Sequence, residues 1–593
     1  MFARPAAKRE RKAAVPWLAL GSTLALTLLL SAFILRQWPS FGKVSYVYRG
    51  GKMETAELPL SVPTQGENLS VLVPLRLGLF HPALYRVKAD DCLQDLFIND
   101  VRVPRERTDF CDYSKGRILN LAPYLRRGEN LMQFNIRDHG GMGGVDIRPS
   151  PGDPLPLALS LTLFIGAAAA LFLLRRPLGH WLLPTAVSAA AFSVHFLYWM
   201  GTTFTTRGYD TEGHVEYVQY VLNNARIPPA SEGWEYYQPP LYYFFAALWG
   251  KAGAMLSLPL SGSLQLLSLF LSLLSAACIF WIGTALFDAR RERWGFSLFL
   301  ASSLLLPGMV FFTPRINNDV LALTLSLLCL GLLLRWWRKP ERRGAWVGVS
   351  VVLSLGILTK STTLPLVAAA LLLLLLSPVP WKKKWFLGGL SLAVILLFTD
   401  WLFLYRFIFE GARGLVGNAG NLSSGLLLKN TVAGFVRFNP LFLLGHPYNN
   451  PWDDAYGRQY LWEYLYRSAF TGEWSFGNAV RPLVSALHLL GLYALALALI
   501  GIVRHFRQEA RRSLPLLLTV LVLLGAFLYN RLSVPYACSQ DFRFIAPAAV
   551  PLAYYAVRGA LALPRRLRIV ALVMLSALPL GSAAFILALV FGM

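Results

Sequence analysis

The sequence predicts a polytopic α-helical membrane protein with a small β-sandwich inserted near its N-terminus, and three observations support this prediction. Of the 593 residues, 55% are hydrophobic and only 15% are charged, which is too little charge to cover a soluble protein of this size. Apolar runs of about 20 residues, the length that crosses a bilayer, recur along the chain. The formal net charge of +24 is concentrated in short clusters between those runs.

The basic clusters indicate which side of the membrane each loop faces. If the apolar runs are spans, every cluster falls on one side, which the positive-inside rule identifies as the cytoplasm. No cluster is interleaved with aromatic residues as a nucleic-acid groove would be, so the charge predicts no nucleic-acid partner. The clusters lie at residues 4–12, 175–176, 290–293, 335–343, 382–384, 504–512 and 558–568.

Residues 1–37 predict a cytoplasmic basic tail followed by a transmembrane anchor. The apolar run over residues 16–35 is long enough to span, and residues 31–36 make a poor signal-peptide cleavage site. We therefore expect the anchor to stay uncleaved and the segment after it to be external.

Residues 38–152 predict the β-sandwich. Short alternating stretches separated by Gly, Asn, Asp and Pro are typical of strands and turns. Cys92 and Cys111 are the two cysteines of this segment, and we expect them to form a disulfide in an oxidising compartment. The segment resembles the jelly-roll, galactose-binding-like modules of some bacterial envelope enzymes, which leaves open whether it binds a glycan. The stretches lie at residues 44–48, 69–73, 96–98 and 131–136.

Residues 153–593 alternate apolar runs with short loops and predict a multi-span transmembrane domain. With the anchor, the runs give about thirteen spans. Two longer connections, near residues 201–262 and 406–481, fall on the external side, where long ordered loops are expected to carry functional residues. The predicted spans after the anchor lie near residues 155–174, 181–200, 263–287, 295–313, 319–337, 344–359, 362–379, 385–405, 482–503, 513–530, 543–560 and 567–591.

The first long external loop begins with a cluster of titratable residues directly after a predicted span. Asp210, Glu212 and His214 follow one another at every second position. A carboxylate at the edge of a membrane loses part of its hydration, which raises its basicity and suits a general base. On spacing alone, these acids could equally be solvated loop residues that pair with Arg207 and Arg226.

The motifs of this loop resemble those of a known enzyme family. A Tyr-Asp-x-Glu-Gly-His segment at 209–214 precedes an Arg-x-Pro turn at 226–228 and a Gln-Pro-Pro-Leu-Tyr-Tyr segment at 238–243. This order resembles the first external loop of GT-C superfamily glycosyltransferases, in particular the protein O-mannosyltransferase and lipid A aminoarabinose transferase branch (glycosyltransferase family 39-like). The resemblance implies a GT-C-like fold and a sugar donor linked to a polyprenyl phosphate.

The resemblance also implies roles for residues of this loop. The family places an essential Asp at the start of the loop, which makes Asp210 the catalytic carboxylate. Glu212 departs from a plain Asp-x-Asp pattern and is interpreted as a second functional acid or a metal ligand. A divalent metal therefore stays open as a cofactor. We assign His214, Tyr237 and Gln238 to substrate binding.

The next short external turn contains Arg315, Asn318 and Asp319, where the same branch carries an Arg/Asn-x-Asp motif. An arginine can bind phosphate bidentately, so Arg315 is a candidate ligand of the donor phosphate. Asn318 and Asp319 are candidate substrate-binding residues, although capping of the following helix would explain an amide and a carboxylate there equally well.

Two further basic residues are candidate ligands of the donor phosphate. Lys360 interrupts an apolar stretch, where a lysine either needs an anionic partner or extends to an interface. Family members carry a similar Thr-Lys turn that faces the catalytic pocket. Arg543 opens a late span and resembles the family's Arg-aromatic-x-x-Pro segment, with pairing to Asp541 as the alternative.

The second long external loop contributes Trp452, Asp453 and Trp474 as candidate substrate-binding residues. Aromatic rings stack on the apolar face of a pyranose, and acids bind sugar hydroxyls or a cation. Anchoring at the membrane interface would explain the aromatic residues equally well.

These features predict an inverting glycosyltransferase of a bacterial inner membrane with its active site facing the periplasm. The predicted partners are a polyprenyl-phosphate-linked sugar as donor and a lipid, glycan or protein as acceptor. Two alternatives stay open: a transporter or flippase for a lipid-linked glycan, and a non-catalytic envelope glycan assembly protein. The chain contains no Walker A motif, which argues against ATP-driven export.

Overall fold

The computed structural model describes residues 21, 25–48, 51–64, 66–112, 116–150, 152–341, 343–411 and 422–591, without the side chains of residues 506–512. The predicted basic tail and the first part of the predicted anchor lie outside the described residues. The end of the anchor forms helix α1 (Ala25–Gln37).

The strands between Ser40 and Pro149 form two antiparallel sheets, one of seven strands and one of four. Strands β5 and β6 alternate buried and more exposed side chains, the pattern of sheets that bury one face. A single core holds fully buried residues of both sheets, including Val73 and Ile147, so the β-rich region fits the predicted sandwich. The strands are β1 (Ser40–Phe41), β2 (Val44–Tyr48), β3 (Glu54–Ala56), β4 (Leu60–Thr64), β5 (Leu69–Leu77), β6 (Leu84–Asp90), β7 (Cys92–Ile98), β8 (Val101–Arg102), β9 (Arg117–Asn120), β10 (Gly128–Arg137) and β11 (Gly141–Pro149).

The predicted disulfide is confirmed. Cys92, at the start of β7, is bonded to Cys111, which follows the short helix α2 (Arg105–Thr108). Jelly-roll ancestry and glycan binding of this region stay predictions.

The rest of the chain is helical. Asp153 joins the two parts, because its side chain caps the first long helix at Leu155 N and also accepts hydrogen bonds from the backbone N–H groups of Ala83 and Leu84. The helices are α3 (Pro154–Leu173), α4 (Arg175–Leu178), α5 (Leu182–Met200), α6 (Thr211–Asn224), α7 (Leu241–Met255), α8 (Leu260–Leu286), α9 (Arg293–Leu304), α10 (Pro307–Val310), α11 (Asp319–Arg338), α12 (Arg343–Ile357), α13 (Pro365–Leu376), α14 (Trp381–Glu410), α15 (Val432–Val436), α16 (Pro440–Gly445), α17 (Leu461–Thr471), α18 (Arg481–Ser533), α19 (Ala549–Leu561) and α20 (Arg565–Val590).

Within the described residues, eight helical segments are long and apolar enough to cross a membrane, and three shorter apolar helices accompany them. The chain is therefore a multi-pass membrane protein, whereas the count of about thirteen spans stays a prediction. The eight segments are Pro154–Leu173, Arg175–Met200, Leu260–Leu286, Asp319–Arg338, Trp381–Glu410, Asn478–His505, Ser513–Ser533 and Arg565–Val590.

Two predicted spans are not continuous helices. The run over residues 295–313 is divided into α9 and α10, because Pro307 cannot continue the preceding helix. The run over residues 543–560 begins with two 3₁₀ turns, and its α-helix starts only at Ala549. These breaks leave turns between the membrane helices, and the turns carry side chains of the candidate site.

Candidate active site

A cavity of about 1080 Å³ lies where the two long connections near residues 201–262 and 406–481 meet the ends of several membrane helices. One part of its wall is apolar and comes from the start of α13 and the second half of α18, through Leu364, Pro365, Leu523, Ala526 and Phe527. The cavity brings together eight of the predicted site residues: Asp210, His214, Tyr237, Gln238, Lys360, Trp452, Trp474 and Arg543.

Asp210 precedes α6 in a left-handed backbone conformation, with a φ of 50°, and Arg207 has a φ of 56°. Non-glycine residues rarely adopt this region, and such strain concentrates at functional sites. Although Asp210 holds the N-cap position of α6, its side chain caps no backbone N–H. Its Oδ1 instead accepts a hydrogen bond of 3.2 Å from Trp234 Nε1. The turn thus presents the carboxylate to the cavity.

Lys360, Asp319 and Arg543 form what we call the charged end of the cavity. Lys360 Nζ lies 2.6 Å from Asp319 Oδ1, and Arg543 Nη1 lies 3.9 Å from Asp319 Oδ2. None of the three side chains is more than 11% exposed. Buried charges need partners. Arg543 also interacts with the buried carboxylate of Asp541, which interacts in turn with Arg315. With these two residues included, the cations still exceed the carboxylates by one charge. The charged end is therefore suited to bind an anion.

Neither Asp319 of the charged end nor its neighbour Asn318 is among the residues that line the cavity. Asn318 Nδ2 donates hydrogen bonds of 3.1 Å to Gln238 Oε1 and to the backbone oxygen of Thr359, the residue before Lys360. The Asn318 side chain does not cap α11, so the capping alternative does not describe it. Both residues position cavity-lining side chains.

Glu235 lines the cavity between Asp210 and His214, and the sequence analysis did not select it. Burial raises the pKa of Glu235 to about 7, and the nearby charge of Asp210 adds to this shift. His214 Nδ1 lies 2.8 Å from Tyr243 Oη, and its Nε2 lies 4.0 Å from Glu235 Oε2. Burial lowers the pKa of His214 to about 3, with a further contribution from the charge of Lys360, so the imidazole is neutral.

Glu473 is a second lining acid that the sequence analysis did not select. Tyr464 Oη donates a hydrogen bond of 2.7 Å to Glu473 Oε1. Burial raises the pKa of Glu473 to about 8, and the charge of Asp541 adds to this shift. Asp541 in turn accepts a hydrogen bond of 2.9 Å from Tyr209 Oη. A protonated Glu473 can donate a hydrogen bond, which an ionised carboxylate cannot do.

Arg315 lies against aromatic rings and is not among the lining residues. Its guanidinium carbon is 4.5 Å from the ring centre of Tyr209 and 4.9 Å from that of Trp474, and its Nε donates to the backbone oxygen of Arg207 at 3.2 Å. Arg543 lies over the same tyrosine at 3.8 Å. Arg315 therefore packs the strained turn before Asp210, and these contacts do not bring it to the cavity as a phosphate ligand.

Two predicted residues lie outside the cavity lining. Glu212 is exposed on α6, two positions before His214, and is not among the residues that line the cavity. Asp453 is exposed, and its Oδ1 accepts a hydrogen bond of 2.8 Å from the backbone N–H of Ala455. Within the part of the chain that the structure describes, no group of three His, Cys, Asp or Glu side chains could hold a metal ion.

Together, the fold and the cavity define a multi-pass membrane protein in which a carboxylate, a cationic end and an apolar wall share one site. Residues 238–403 match the model of a protein family described as dolichyl-phosphate-mannose-protein mannosyltransferase. The resemblance to GT-C glycosyltransferases is thus confirmed over this segment. The segment contains Gln238, Asp319 and Lys360, whereas Asp210 and Arg543 lie outside it. No curated protein sequence matches this chain.

Solved structures of two GT-C proteins are similar to this chain. ArnT from Cupriavidus metallidurans, bound to undecaprenyl phosphate, has 13% sequence identity and a TM-score of 0.41, over 68% of this chain and 76% of ArnT. The oligosaccharyltransferase of Archaeoglobus fulgidus has 12% identity and a TM-score of 0.40, over 70% of this chain and 56% of that protein.

Proposed function

We propose that this chain is an inverting glycosyltransferase that moves a sugar from a polyprenyl-phosphate donor to an acceptor on the periplasmic face of a bacterial inner membrane. The observation that carries the proposal is that Asp210 and Lys360, which are distant in sequence, line one cavity that also has an apolar wall. The matched family supports the donor class, because dolichyl phosphate mannose is a polyprenyl-phosphate sugar. The basic clusters between the spans support the orientation.

The charged end would hold the donor phosphate. A sugar–phosphate–prenyl diester carries one negative charge, which balances the positive charge that Lys360 and Arg543 have in excess over Asp319. Both cations would then stabilise the charge that develops on the leaving phosphate. The prenyl chain would extend along the apolar wall and enter sideways from the bilayer.

Asp210 would act as the general base. The acceptor oxygen attacks the anomeric carbon of the donor sugar and forms the new glycosidic bond. The bond from that carbon to the phosphate oxygen breaks on the opposite side, so the configuration at the carbon inverts. Asp210 accepts the proton of the acceptor hydroxyl, and polyprenyl phosphate leaves. The hydrogen bond from Trp234 fixes the direction of the carboxylate.

Mass spectrometry of the cell envelope tests the proposal. Cells that lack the protein and cells that carry Asp210→Asn should lack the same sugar on an envelope glycolipid, glycan or glycoprotein. Glu212→Gln is the matched control, because Glu212 lies outside the cavity lining, and it should keep the sugar. An envelope that Asp210→Asn leaves unchanged, while loss of the protein changes it, would instead support the transporter or the non-catalytic assembly protein.

A further inference from the structure

Three tryptophans line the cavity, and they differ in how much of each ring is accessible. Trp474 packs against Tyr209 with ring centres 4.9 Å apart and lies under Arg315. Trp234 is 41% exposed and Trp452 is 59% exposed. We call Trp234 and Trp452 the aromatic rim. Accessible aromatic rings that line a cavity offer a flat apolar surface against which a ligand can stack.

Both rings of the aromatic rim lie against a glycine. A Cβ atom at Gly213 would stand 3.2 Å from Cδ1 of Trp234, and one at Gly425 would stand 3.3 Å from Cζ3 of Trp452. Trp234 is further held by its hydrogen bond to Asp210. The two rings are therefore supported on one side and accessible on another, and one of them lies directly beside the proposed base.

The charges around the aromatic rim disfavour an anionic acceptor. Among the described lining residues, the cations are Lys360 and Arg543, and both belong to the charged end. Asp210 lines the same cavity, together with Glu235 and Glu473, whose pKa values are raised to about 7 and about 8. A phosphorylated acceptor would therefore meet negative charge beside Asp210 and would compete with the donor for the two cations.

The uncharged part of the lining matches a sugar. Tyr237, Asn450 and Ser475 offer hydroxyl and amide groups that pair with sugar hydroxyls, and the tryptophan rings match the C–H face of a pyranose. None of the described lining residues belongs to a β-strand. An extended peptide would need such a strand for backbone pairing at a sheet edge.

We propose that the acceptor is an uncharged saccharide whose reacting ring stacks on Trp234 and whose neighbouring ring contacts Trp452. The inference rests on the proposed function and names the acceptor class of the same site. In this arrangement the hydroxyl that attacks the anomeric carbon lies beside Asp210, which takes its proton as the bond to the donor phosphate breaks.

Direct binding to the purified full-length chain in lipid nanodiscs tests the inference without any donor. Three probe classes are compared by calorimetry: uncharged gluco-, manno- and galacto-trisaccharides, a diphosphorylated glucosamine disaccharide, and a Ser/Thr-rich peptide. At least one uncharged trisaccharide should bind, and Trp234→Ala and Trp452→Ala should each weaken its binding about tenfold or more. Trp294→Ala is the matched control, because Trp294 is 70% exposed and outside the cavity lining, and it should leave binding unchanged.

The inference is overturned if the peptide or the phosphorylated disaccharide binds through the aromatic rim, or if no trisaccharide distinguishes the wild-type chain from the two variants. Binding of undecaprenyl phosphate to the same samples separates this result from failure of the proposed function. If that lipid binds and Lys360→Ala weakens it, a negative sugar result concerns the acceptor alone. If the lipid does not bind, the proposed donor site fails as well.

Discussion

The charged end and the aromatic rim of the same cavity are built in opposite ways. At the charged end, Lys360 and Arg543 are buried and each lies within 4 Å of the buried Asp319. At the aromatic rim, Trp234 and Trp452 keep 41% and 59% of their surface accessible. Buried charges must be partnered before any ligand arrives, whereas aromatic rings tolerate water. The difference is that between a preorganised cationic end, the proposed donor site, and an open aromatic end, the proposed acceptor site.

The largest expected effect is a loss of turnover that separates catalysis from binding at either end of the cavity. Asp210→Asn keeps the shape of the side chain and removes its charge, so turnover should fall by about 10²–10⁴-fold, as is typical for loss of a general base. Undecaprenyl phosphate binding should change little, because Asp210 is not part of the charged end. Turnover and lipid binding are measured on the purified chain. Near-normal turnover would assign the base to another lining acid.

A smaller effect tests the charged end. Lys360→Ala leaves Asp319 with Arg543 at 3.9 Å as its cationic neighbour, which removes the excess positive charge. Affinity for undecaprenyl phosphate should fall by about 10- to 100-fold, equivalent to about 1.4–2.8 kcal/mol. Lys360→Arg keeps the charge and should retain part of the affinity. If the wild-type chain, Lys360→Ala and Lys360→Arg bind undecaprenyl phosphate with equal affinity, Lys360 does not contribute to the phosphate site.

A pH series tests how the lining acids affect the charged end. The pKa values of Glu235 and Glu473 are raised to about 7 and about 8, so both side chains lose protons between pH 7 and 9. Undecaprenyl phosphate keeps its charge over this range, because its second ionisation lies near pH 6. The added negative charge should weaken its binding by about three- to tenfold, with the larger loss at low salt.

The same shifts determine how stability depends on pH. Because both acids bind protons more tightly in the folded state than in the unfolded chain, their contribution to the free energy of unfolding decreases as pH rises from about 4.5 to 8.

Glu473→Gln, which stays neutral, should flatten the upper part of the pH profile of undecaprenyl phosphate binding. An unchanged profile in that variant would show that Glu473 does not act on the phosphate.

The sequence predicted those site residues whose chemistry conflicts with their local surroundings. Lys360 stands out in an apolar stretch, and Asp210 lies in a segment that resembles a family motif and follows a predicted span. Glu235 and Glu473 were not selected, because an acid in a polar loop becomes unusual only when the fold buries it. Arg315 was predicted to bind phosphate because the sequence does not show its contacts with Tyr209 and Trp474. Those contacts join segments that are distant in the chain.

The fold shows the same division between local and long-range information. Alternation and turn residues predicted four strands of the β-rich region, and two isolated cysteines predicted the disulfide. Hydropathy predicted apolar runs, but it did not show that Pro307 divides one of them or that α19 begins only at Ala549. Hydropathy ranks residues by polarity, so it reports neither the break that a proline makes nor the 3₁₀ turns that precede α19.

The smallest expected effect on transfer comes from the β-rich region, which contacts the segment just before Asp210. Arg148 Nη1 donates to Thr203 Oγ1 at 3.2 Å and to Thr205 Oγ1 at 2.8 Å. Replacing both bonded cysteines with serine, Cys92→Ser with Cys111→Ser, releases a short loop and should lower the free energy of unfolding of the β-rich region by about 3 kcal/mol.

Because these hydrogen bonds come from β11 and not from the disulfide loop, turnover and lipid affinity of the double variant should stay within about twofold of wild type below its unfolding temperature. Reductant is the matched control: it should lower the stability of the wild-type β-rich region, measured by limited proteolysis, and leave the double variant unchanged. A large loss of turnover with intact lipid binding would show instead that the β-rich region helps to place Asp210. The charged end would then be preorganised by the membrane helices, whereas the base would depend on the β-rich region.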